Sequence, residues 1–282
     1  MKPRKIKKII PGKDGIDGAG VKLVRLFSHD KAGDFDPFLM MDAFDSIDPK
    51  DYSEGFPWHP HRGIETITYL IDGKIEHQDS LGNKGAINDG GAQWMTAGSG
   101  IIHNEMPINS DRMRGFQLWL NLPKENKMAR PGYGDIHKSD IPKVTEDDNI
   151  IRVVSGSYKG TSGAFQGKYV NPTFLDISMA AGSKFELITN TEETLFVYIL
   201  EGSAALADSK DAIAHKNVVL FESGETFLAH TQKEAARILL FSAKPLREPV
   251  AWAGPIVMNS EAELRVAFAE LQRGTFIKDP KY

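Results

Sequence analysis

Short stretches of alternating apolar and polar residues, separated by glycine-rich turns, run along most of this chain. The segment 64–71 (IETITYLI) alternates and is rich in β-branched and aromatic residues, which is the composition of a strand. Further strands in the first half are predicted at residues 5–10, 21–27, 36–44, 74–80, 92–97, 101–106 and 116–122. Strands at such short, regular spacing predict an all-β barrel or sandwich.

The second half repeats this pattern. Strands are predicted there at residues 150–155, 173–179, 184–189, 195–200, 204–207, 217–221, 226–230 and 236–243. The stretch LFVYILEGSAAL resembles the earlier TITYLIDGKIEH, and Asp72-Gly73 and Glu201-Gly202 are predicted as hairpin turns at matching places. The similarity indicates an internal duplication of one barrel unit.

Residues 124–149 differ in composition from the strand-rich segments on either side, since they contain prolines, glycines and mixed charges. We predict that they form a linker along the surface. The expected domains are therefore 1–123 and 150–282. A helix is predicted at 260–273, because Ser260 and Glu263 form a capping box and Gly274 ends the apolar periodicity. We expect this helix to cover a barrel surface.

Composition narrows the classes of protein. The 282 residues are 41% hydrophobic and 26% charged with a net charge of −4, which favours a soluble globular protein and gives no case for nucleic-acid binding. The absence of cysteine excludes disulfides and thiolate metal sites. The basic start MKPRKIKK is not followed by an apolar run, so neither a signal peptide nor a membrane span is predicted. We expect a cytoplasmic monomer; nuclear localisation is equally compatible with these features.

Four of the eight histidines, His59, His61, His77 and His103, lie between Phe56 and Met106. Residues two apart on a strand face the same side, so His59 and His61 form one pair of neighbouring ligands, and His103 and Glu105 form another. Three imidazoles and a carboxylate are a ligand set for a divalent transition metal. Glu65 competes with Glu105 because it lies four residues after His61, and the pattern alone leaves both open.

Other side chains near these ligands are candidates for a pocket. Phe56 and Met106 could contribute walls, although such residues in strands more often belong to a core. Gln117 could face the metal, and His77 lies on a nearby predicted strand. Arg62 is expected to pair with an acidic side chain.

Several blocks resemble known families. His59-x-His61-x3-Glu65, followed by Gly98-x-Gly100-x2-His103, resembles the cupin motifs, with Gly98 where a proline is usual. DPFLMMDAF, HPHRGIETITYLIDG, HQDSLGNKG, QWMTAGSGIIHNEMP, FQLWLNLP and GPIVMN resemble the pirin family over residues 36–259.

The pirin resemblance implies a bicupin, with two β-barrel or jelly-roll domains in tandem and a short C-terminal helix. It implies iron(II) in the N-terminal barrel, held by His59, His61, His103 and Glu105. Glu65 is then either a neighbour of the ligands or a hydrogen-bond partner elsewhere. The second half has only His215 and His230 and no His-x-His pair, so that barrel is expected to be metal-free and structural.

The resemblance further implies an enzyme of the quercetin 2,3-dioxygenase type, which opens a flavonol ring with O2 and releases CO. Glu105 is the candidate general base for the phenol proton. The alternative is a redox-responsive iron-binding regulator of transcription factors or metabolic enzymes. A deep cavity open to the metal favours the enzyme, and a capped metal favours the regulator. The donor set also accepts Mn, Co, Ni, Cu or Zn, so iron rests on the resemblance alone.

Overall fold

The computed structural model describes residues 1–278, and most of this chain forms antiparallel strands. In chain order the strands are β1 (Ile6–Pro11), β2 (Lys13–Asp17), β3 (Val21–Phe27), β4 (Phe38–Ser46), β5 (Phe56–His61), β6 (Ile64–Asp72), β7 (Lys74–Asp79), β8 (Lys84–Ile87), β9 (Ala92–Thr96), β10 (Ile101–Ile108), β11 (Met113–Asn121), β12 (Gly132–Ile136), β13 (Lys143–Glu146), β14 (Asn149–Ser155), β15 (Ser157–Tyr158), β16 (Thr161–Ser162), β17 (Thr173–Met179), β18 (Lys184–Ile188), β19 (Thr194–Leu206), β20 (Ala212–Ala214), β21 (Asn217–Phe221), β22 (Thr226–His230), β23 (Ala236–Ala243), β24 (Ala251–Ala253) and β25 (Ile256–Met258). The α-helices are α1 (Ala32–Phe35) and α2 (Glu261–Gln272), and short 3-10 turns occur at His29–Lys31, Pro49–Asp51, Lys124–Asn126 and Lys138–Asp140.

The first barrel comprises Asp14–Ala32, Phe38–Lys138 and the segment from Leu246 onward. Its seven-stranded sheet has the order β12-β9-β6-β11-β4-β3-β2, and its four-stranded sheet has the order β5-β10-β7-β8. Apolar side chains from both sheets, including Ile64, Met95, Ile101 and Trp119, pack together in one core cluster. The all-β prediction is confirmed for this unit.

The second barrel comprises Met1–Lys13, Gly33–Pro37 and Ser139–Pro245. Its ten-stranded sheet includes the path β1-β21-β19-β23-β17-β14-β13, with β18, β20 and β22 joined to it. Its interior is packed with buried apolar side chains, among them Val197, Ile199, Phe227 and Leu240. Burial of these side chains is the main source of stability for such a unit.

Both predicted hairpin turns are wrong. Strands β6 and β7, on either side of Asp72-Gly73, belong to different sheets and do not pair with each other. Strand β19 runs unbroken through Glu201-Gly202; it pairs with β23 up to Gly202 and with β20 from Ser203 onward. Gly73 and Gly202 have φ values of 105° and 64°, so each bends the chain sharply at a corner between two pairing partners.

The segment 124–149, predicted as a linker, contributes two edge strands. Strand β12 pairs with β9 in the first barrel, and β13 pairs with β14 in the second. The compact units also divide the chain differently from the predicted boundaries. Strand β1 pairs with β21, which places the first residues in the second barrel, and Leu264 and Ala267 of α2 pack with β25 in the first.

The C-terminal helix is confirmed together with its cap. Ser260 Oγ accepts a hydrogen bond from the backbone N–H of Glu263 (3.3 Å), and the Glu263 carboxylate accepts one from the N–H of Asn259 (3.0 Å). Within residues 1–278, no helix combines the length and the hydropathy that crossing a bilayer requires.

Candidate metal centre and cavity

The histidines predicted as ligands lie on paired strands of the four-stranded sheet. Strand β5 runs antiparallel to β10, and the register places His59 opposite His103 and Phe56 opposite Glu105. Because alternate residues share a face, the pleat brings His59, His61 and His103 to one side. One ring nitrogen of each histidine lies within 4.8 Å of the others, so the three could hold a metal ion.

The other nitrogen of each ring is already engaged. Nδ1 of His59 contacts the carbonyl oxygen of Pro57 (2.8 Å), and Nδ1 of His61 contacts that of Pro255 (3.1 Å). Nδ1 of His103 lies 3.4 Å from Nδ1 of His77, while Nε2 of His103 is buried with no hydrogen-bond partner among the described residues. Carbonyl contacts at Nδ1 leave Nε2 free to bind a metal, as in many histidine sites.

Burial keeps two of these imidazoles neutral. Desolvation, assisted by the neighbouring His59, lowers the pKa of His61 to about 3. Desolvation and the nearby histidines also hold the pKa of His103 well below its usual value. Neutral imidazoles carry the lone pair that a metal needs, so the site is ready to bind a cation near neutral pH.

Glu105 lies in the same cavity wall but outside the close group of three histidines. Its two carboxylate oxygens accept hydrogen bonds from Nε2 of Gln117 at 3.0 and 2.9 Å, and Oε1 lies 3.3 Å from the hydroxyl of Thr68. Oε1 of Gln117 accepts in turn from the indole N–H of Trp119 (3.2 Å). This chain of contacts fixes the orientation of the carboxylate.

A cavity of about 630 Å³ opens beside the histidines. Glu105, His59, His61 and Gln117 supply polar groups to its wall. Its apolar lining includes Leu23, Met40, Phe44, Phe56, Ile75, Trp119 and Trp252. The indole of Trp252 lies 5.9 Å from that of Trp119 and 5.3 Å from the ring of His29, between ring centroids, so flat aromatic surfaces form much of one wall.

A charged cluster forms another part of the cavity wall. The Arg25 guanidinium donates to both carboxylate oxygens of Asp42 (2.9 and 2.7 Å) and to Asp17 (2.6 Å). Burial raises the pKa of Asp42, while the contact with Arg25 opposes that rise. The cluster offers a fixed set of donors and acceptors inside a mainly apolar pocket.

Two predicted pocket residues lie elsewhere. Glu65 is on the face of β6 opposite to Thr68, and its carboxylate accepts from Thr96 (2.6 Å). Burial raises the pKa of Glu65 to about 7. Met106 follows Glu105 on β10 and therefore points to the other side, with its sulfur close to Gly55. The parity argument for Glu65 is wrong, because the chain turns at Gly63 between the two strands.

The turn at Gly63 holds the late segment against the site. Gly63 has a φ of 77°, and a Cβ there would lie 1.9 Å from the carbonyl oxygen of Val257. The buried ammonium of Lys127 donates to the carbonyls of Gly63 (2.8 Å) and Val257 (3.0 Å), and burial lowers its pKa to about 7. This close approach brings Pro255 within reach of His61.

Arg62 pairs with an acid, as predicted. Its guanidinium donates to Glu270 of α2 (2.7 Å) and to the carbonyl of Phe276 (2.8 Å), and it lies 4.1 Å from the Phe276 ring centroid. Trp252, Pro255, Arg25 and Asp42 were missed as site residues. Local periodicity could not reveal them, although Asp42 lies in the DPFLMMDAF block and Pro255 in the GPIVMN block.

Comparison with known proteins identifies the family. The pirin family model matches residues 20–120, and the model for the pirin C-terminal cupin domain matches residues 174–277. A pirin-like protein of Caulobacter vibrioides is 41% identical over 280 residues, covering 98% of this chain and all of that protein. The chain belongs to the pirin family. The bicupin prediction is thereby confirmed.

Two further similar proteins carry names that refer to an activity. A Pseudomonas aeruginosa protein named "Putative quercetin 2,3-dioxygenase" is 38% identical over 277 residues, covering 96% of this chain and 97% of that one. The crystal structure of quercetin 2,3-dioxygenase from Acinetobacter baumannii superimposes with a TM-score of 0.89 and 31% identity, covering 97% of this chain and 98% of that one. These similarities support a dioxygenase-like enzyme.

Proposed function

We propose that the first barrel is an iron(II)-dependent dioxygenase of the quercetinase type, which opens a flavonol ring with O2 and releases CO. The observation that carries the proposal is an aromatic-lined cavity of about 630 Å³ that reaches His59, His61 and Glu105. Ligand cavities span roughly 300–1,000 Å³ and combine apolar walls with a few polar groups. The names of the similar proteins from Pseudomonas and Acinetobacter support the same reaction class.

The metal in this proposal is held by His59, His61 and His103 through Nε2, with Glu105 as a fourth ligand. The neutral, buried imidazoles and the unpartnered Nε2 of His103 fit such an ion. Iron(II) would supply a redox-active Lewis acid at this position. The same ligands accept other divalent metals, so iron is the choice that the family resemblance favours.

The protein side chains have separate roles in the proposal. A carboxylate oxygen of Glu105 accepts the proton of the flavonol 3-hydroxyl, and the amide of Gln117 keeps that carboxylate oriented. The aromatic walls exclude water from the ring that is cleaved, and Arg25 with Asp42 offers partners for phenolic hydroxyls. In the overall reaction both atoms of O2 enter the ester product, and one ring carbon leaves as CO.

A metal closed off from the surface would favour the regulatory alternative. A cavity of this size with two of the histidines in its wall supports the enzyme instead, because a flat aromatic molecule could reach the metal.

The ligand assignment is tested by removing histidines in either barrel. We expect His59→Ala and His103→Ala to lose bound metal and quercetin turnover together. His230→Ala, on β22 of the second barrel, is the matched control and should keep both. Metal content by mass spectrometry and quercetin consumption are measured on the same preparations. Full turnover by a metal-free variant would contradict the proposal.

A further inference from the structure

A second, fully buried histidine lies directly behind His103. Strand β7 pairs with β10 so that His77 is opposite Glu105 and Asp79 is opposite His103. Nδ1 of His77 lies 3.4 Å from Nδ1 of His103. Nε2 of His77 lies 3.6 Å from the carboxylate of Asp79, which is an ion-pair distance but too long for a hydrogen bond, and this nitrogen has no hydrogen-bond partner among the described residues. The side chains of His77 and Asp79 are both 0% exposed. Two imidazoles and one carboxylate thus form a line that leads away from the metal ligands.

The charge of Asp79 decides which nitrogen of His77 carries the hydrogen. Oδ1 of Asp79 accepts from the backbone N–H groups of Leu81 (2.8 Å) and Asn83 (3.0 Å), and Oδ2 accepts from the amide of Asn83 (2.7 Å). Three donors around one carboxyl group favour its ionised form, which can only accept. An N–H that faces this anion at 3.6 Å is favoured electrostatically over a lone pair, so we expect Nε2 to be the nitrogen of a neutral His77 that carries the hydrogen.

The position of this hydrogen on His77 determines which nitrogen of His103 carries a hydrogen. When Nε2 of a neutral His77 bears the hydrogen, its Nδ1 has only a lone pair and must accept. The facing Nδ1 of His103 then carries a hydrogen, and Nε2 of His103 is left with its lone pair. Nε2 of His103, like Nε2 of His77, has no hydrogen-bond partner among residues 1–278.

We propose that Asp79 and His77 are positioning residues that fix the tautomer of His103 and so present its Nε2 lone pair to the metal. In many metal sites a carboxylate or a carbonyl oxygen orients the ligand histidine directly. Here one imidazole stands between the carboxylate and the ligand. The proposal rests on the metal centre proposed above, but it involves neither the flavonol nor O2.

A purely structural role for His77 makes a different prediction. His77 also stacks on the ring of Tyr133, with 4.6 Å between centroids and 28° between planes. If packing were its only role, any substitution that preserves volume should have the same effect on metal binding, whatever its hydrogen-bonding capacity.

The first test uses Asp79→Asn to change which nitrogen of His77, and hence of His103, carries the hydrogen. The amide keeps the shape of the carboxylate but can donate to His77, which moves the hydrogen of His77 to Nδ1 and that of His103 to Nε2. We expect ¹⁵N–¹H correlation spectra of the metal-free protein to show this change at His103. Affinity for cobalt(II), measured by competition with a chelator, should fall roughly 10–100-fold.

Tyr133→Phe is the control, because it keeps the ring that stacks on His77 and changes neither Asp79 nor His103. It should leave the tautomer of His103 and the cobalt(II) affinity as they are in the unmodified protein. An unchanged His103 tautomer in Asp79→Asn, or an equal loss of affinity in Asp79→Asn and Tyr133→Phe, would overturn the proposal.

A second pair of variants keeps the test decisive if Asp79→Asn does not fold. In His77→Gln the amide oxygen can still accept from Nδ1 of His103, whereas His77→Leu offers no acceptor. We expect His77→Gln to retain cobalt(II) affinity within a few-fold and His77→Leu to lose roughly 10–100-fold. Equal losses in the two variants would show that packing alone matters. None of these measurements involves quercetin. The proposed role of Asp79 and His77 and the proposed dioxygenase activity can therefore fail separately.

Discussion

At the scale of single residues, the chemistry of the site depends on which partner each polar atom has. The Nδ1 atoms of His59, His61 and His103 each have a partner, whereas Nε2 of His103 has none among residues 1–278. The carboxylate of Glu105 is oriented by Gln117. An alternating strand pattern can predict which side chains share a face, but it cannot predict which of their atoms are engaged.

Gln117→Leu tests the orientation of the proposed base. Leucine keeps a side chain of similar size but removes the donor to both oxygens of Glu105. We expect kcat for quercetin to fall by about 100-fold, within the range for losing general base catalysis, with a smaller change in KM. Metal content should stay at the level of the unmodified protein. A variant with unchanged kcat would show that Gln117 does not act through Glu105.

The raised pKa of Glu65 predicts that the free energy of unfolding depends on pH, independently of the metal site. Burial raises its pKa from 4.5 to about 7, so the folded state holds its proton more tightly than the unfolded chain does. The stabilisation is therefore complete below pH 4.5 and is lost as the pH rises to about 7. Its full size is about 3 kcal/mol in the free energy of unfolding.

The neutral, isosteric variant Glu65→Gln removes this titration. Denaturant unfolding of both proteins at pH 5, 6 and 8 isolates the contribution of this one group. We expect the variant to gain stability relative to the unmodified protein as the pH rises. A difference between the two proteins that stays constant across this range would contradict the assignment.

At the scale of elements, the site depends on corners that connect one strand to the next. Most strands could be predicted from period-two alternation and turn residues, and the histidine pair on β5 follows from the same rule. The chain bends sharply at Gly63, Gly73 and Gly202, but the sequence does not show whether it returns there as a hairpin or continues with another pairing partner. The error at Glu65 has this origin.

The contribution of the late segment could not be predicted from local sequence. Pro255 and Trp252 follow the histidine pair by about 190 residues, and only tertiary folding brings them to His61 and the cavity. The helix that follows them is different, since its capping box is a local signal, and α2 begins where Ser260 and Glu263 predict.

Ser260→Ala tests the role of that cap. It removes the acceptor for the N–H of Glu263, and such losses cost about 1 kcal/mol of unfolding free energy. Ser260→Thr is the control, since its hydroxyl can still cap the helix. Denaturant unfolding measures the difference. A loss in the threonine variant equal to that in the alanine variant would contradict a capping role.

At the scale of the whole molecule, the two barrels use their interiors differently. The first barrel contains His59, His61, His103 and a cavity lined by both polar and apolar side chains. The interior of the second barrel is packed with apolar side chains. The repeated strand pattern predicts the duplication, and the missing His-x-His pair distinguishes the two halves. The periodicity does not predict that the first residues belong to the second barrel and the segment from Leu246 to the first. That assignment depends on tertiary contacts and not on the local pattern.

Phe227→Ala tests the structural role of the second barrel. Phe227 is fully buried among apolar neighbours, and truncating such a side chain costs roughly 3–5 kcal/mol of unfolding free energy. Metal bound per folded chain should not change, because the proposed ligands all belong to the first barrel. Thermal unfolding and metal analysis of the folded fraction check both parts. Loss of metal in a fully folded variant would contradict this division of roles.

The central claim is that the cavity admits a flavonol to a metal held by the three histidines. It is tested most directly by titrating quercetin anaerobically into the iron(II)-loaded protein, then admitting O2 and measuring CO. We predict a metal-dependent shift in the quercetin spectrum, followed by release of one CO for each quercetin consumed. Bound iron with neither a spectral shift nor CO would contradict the claim and favour a regulatory binding protein.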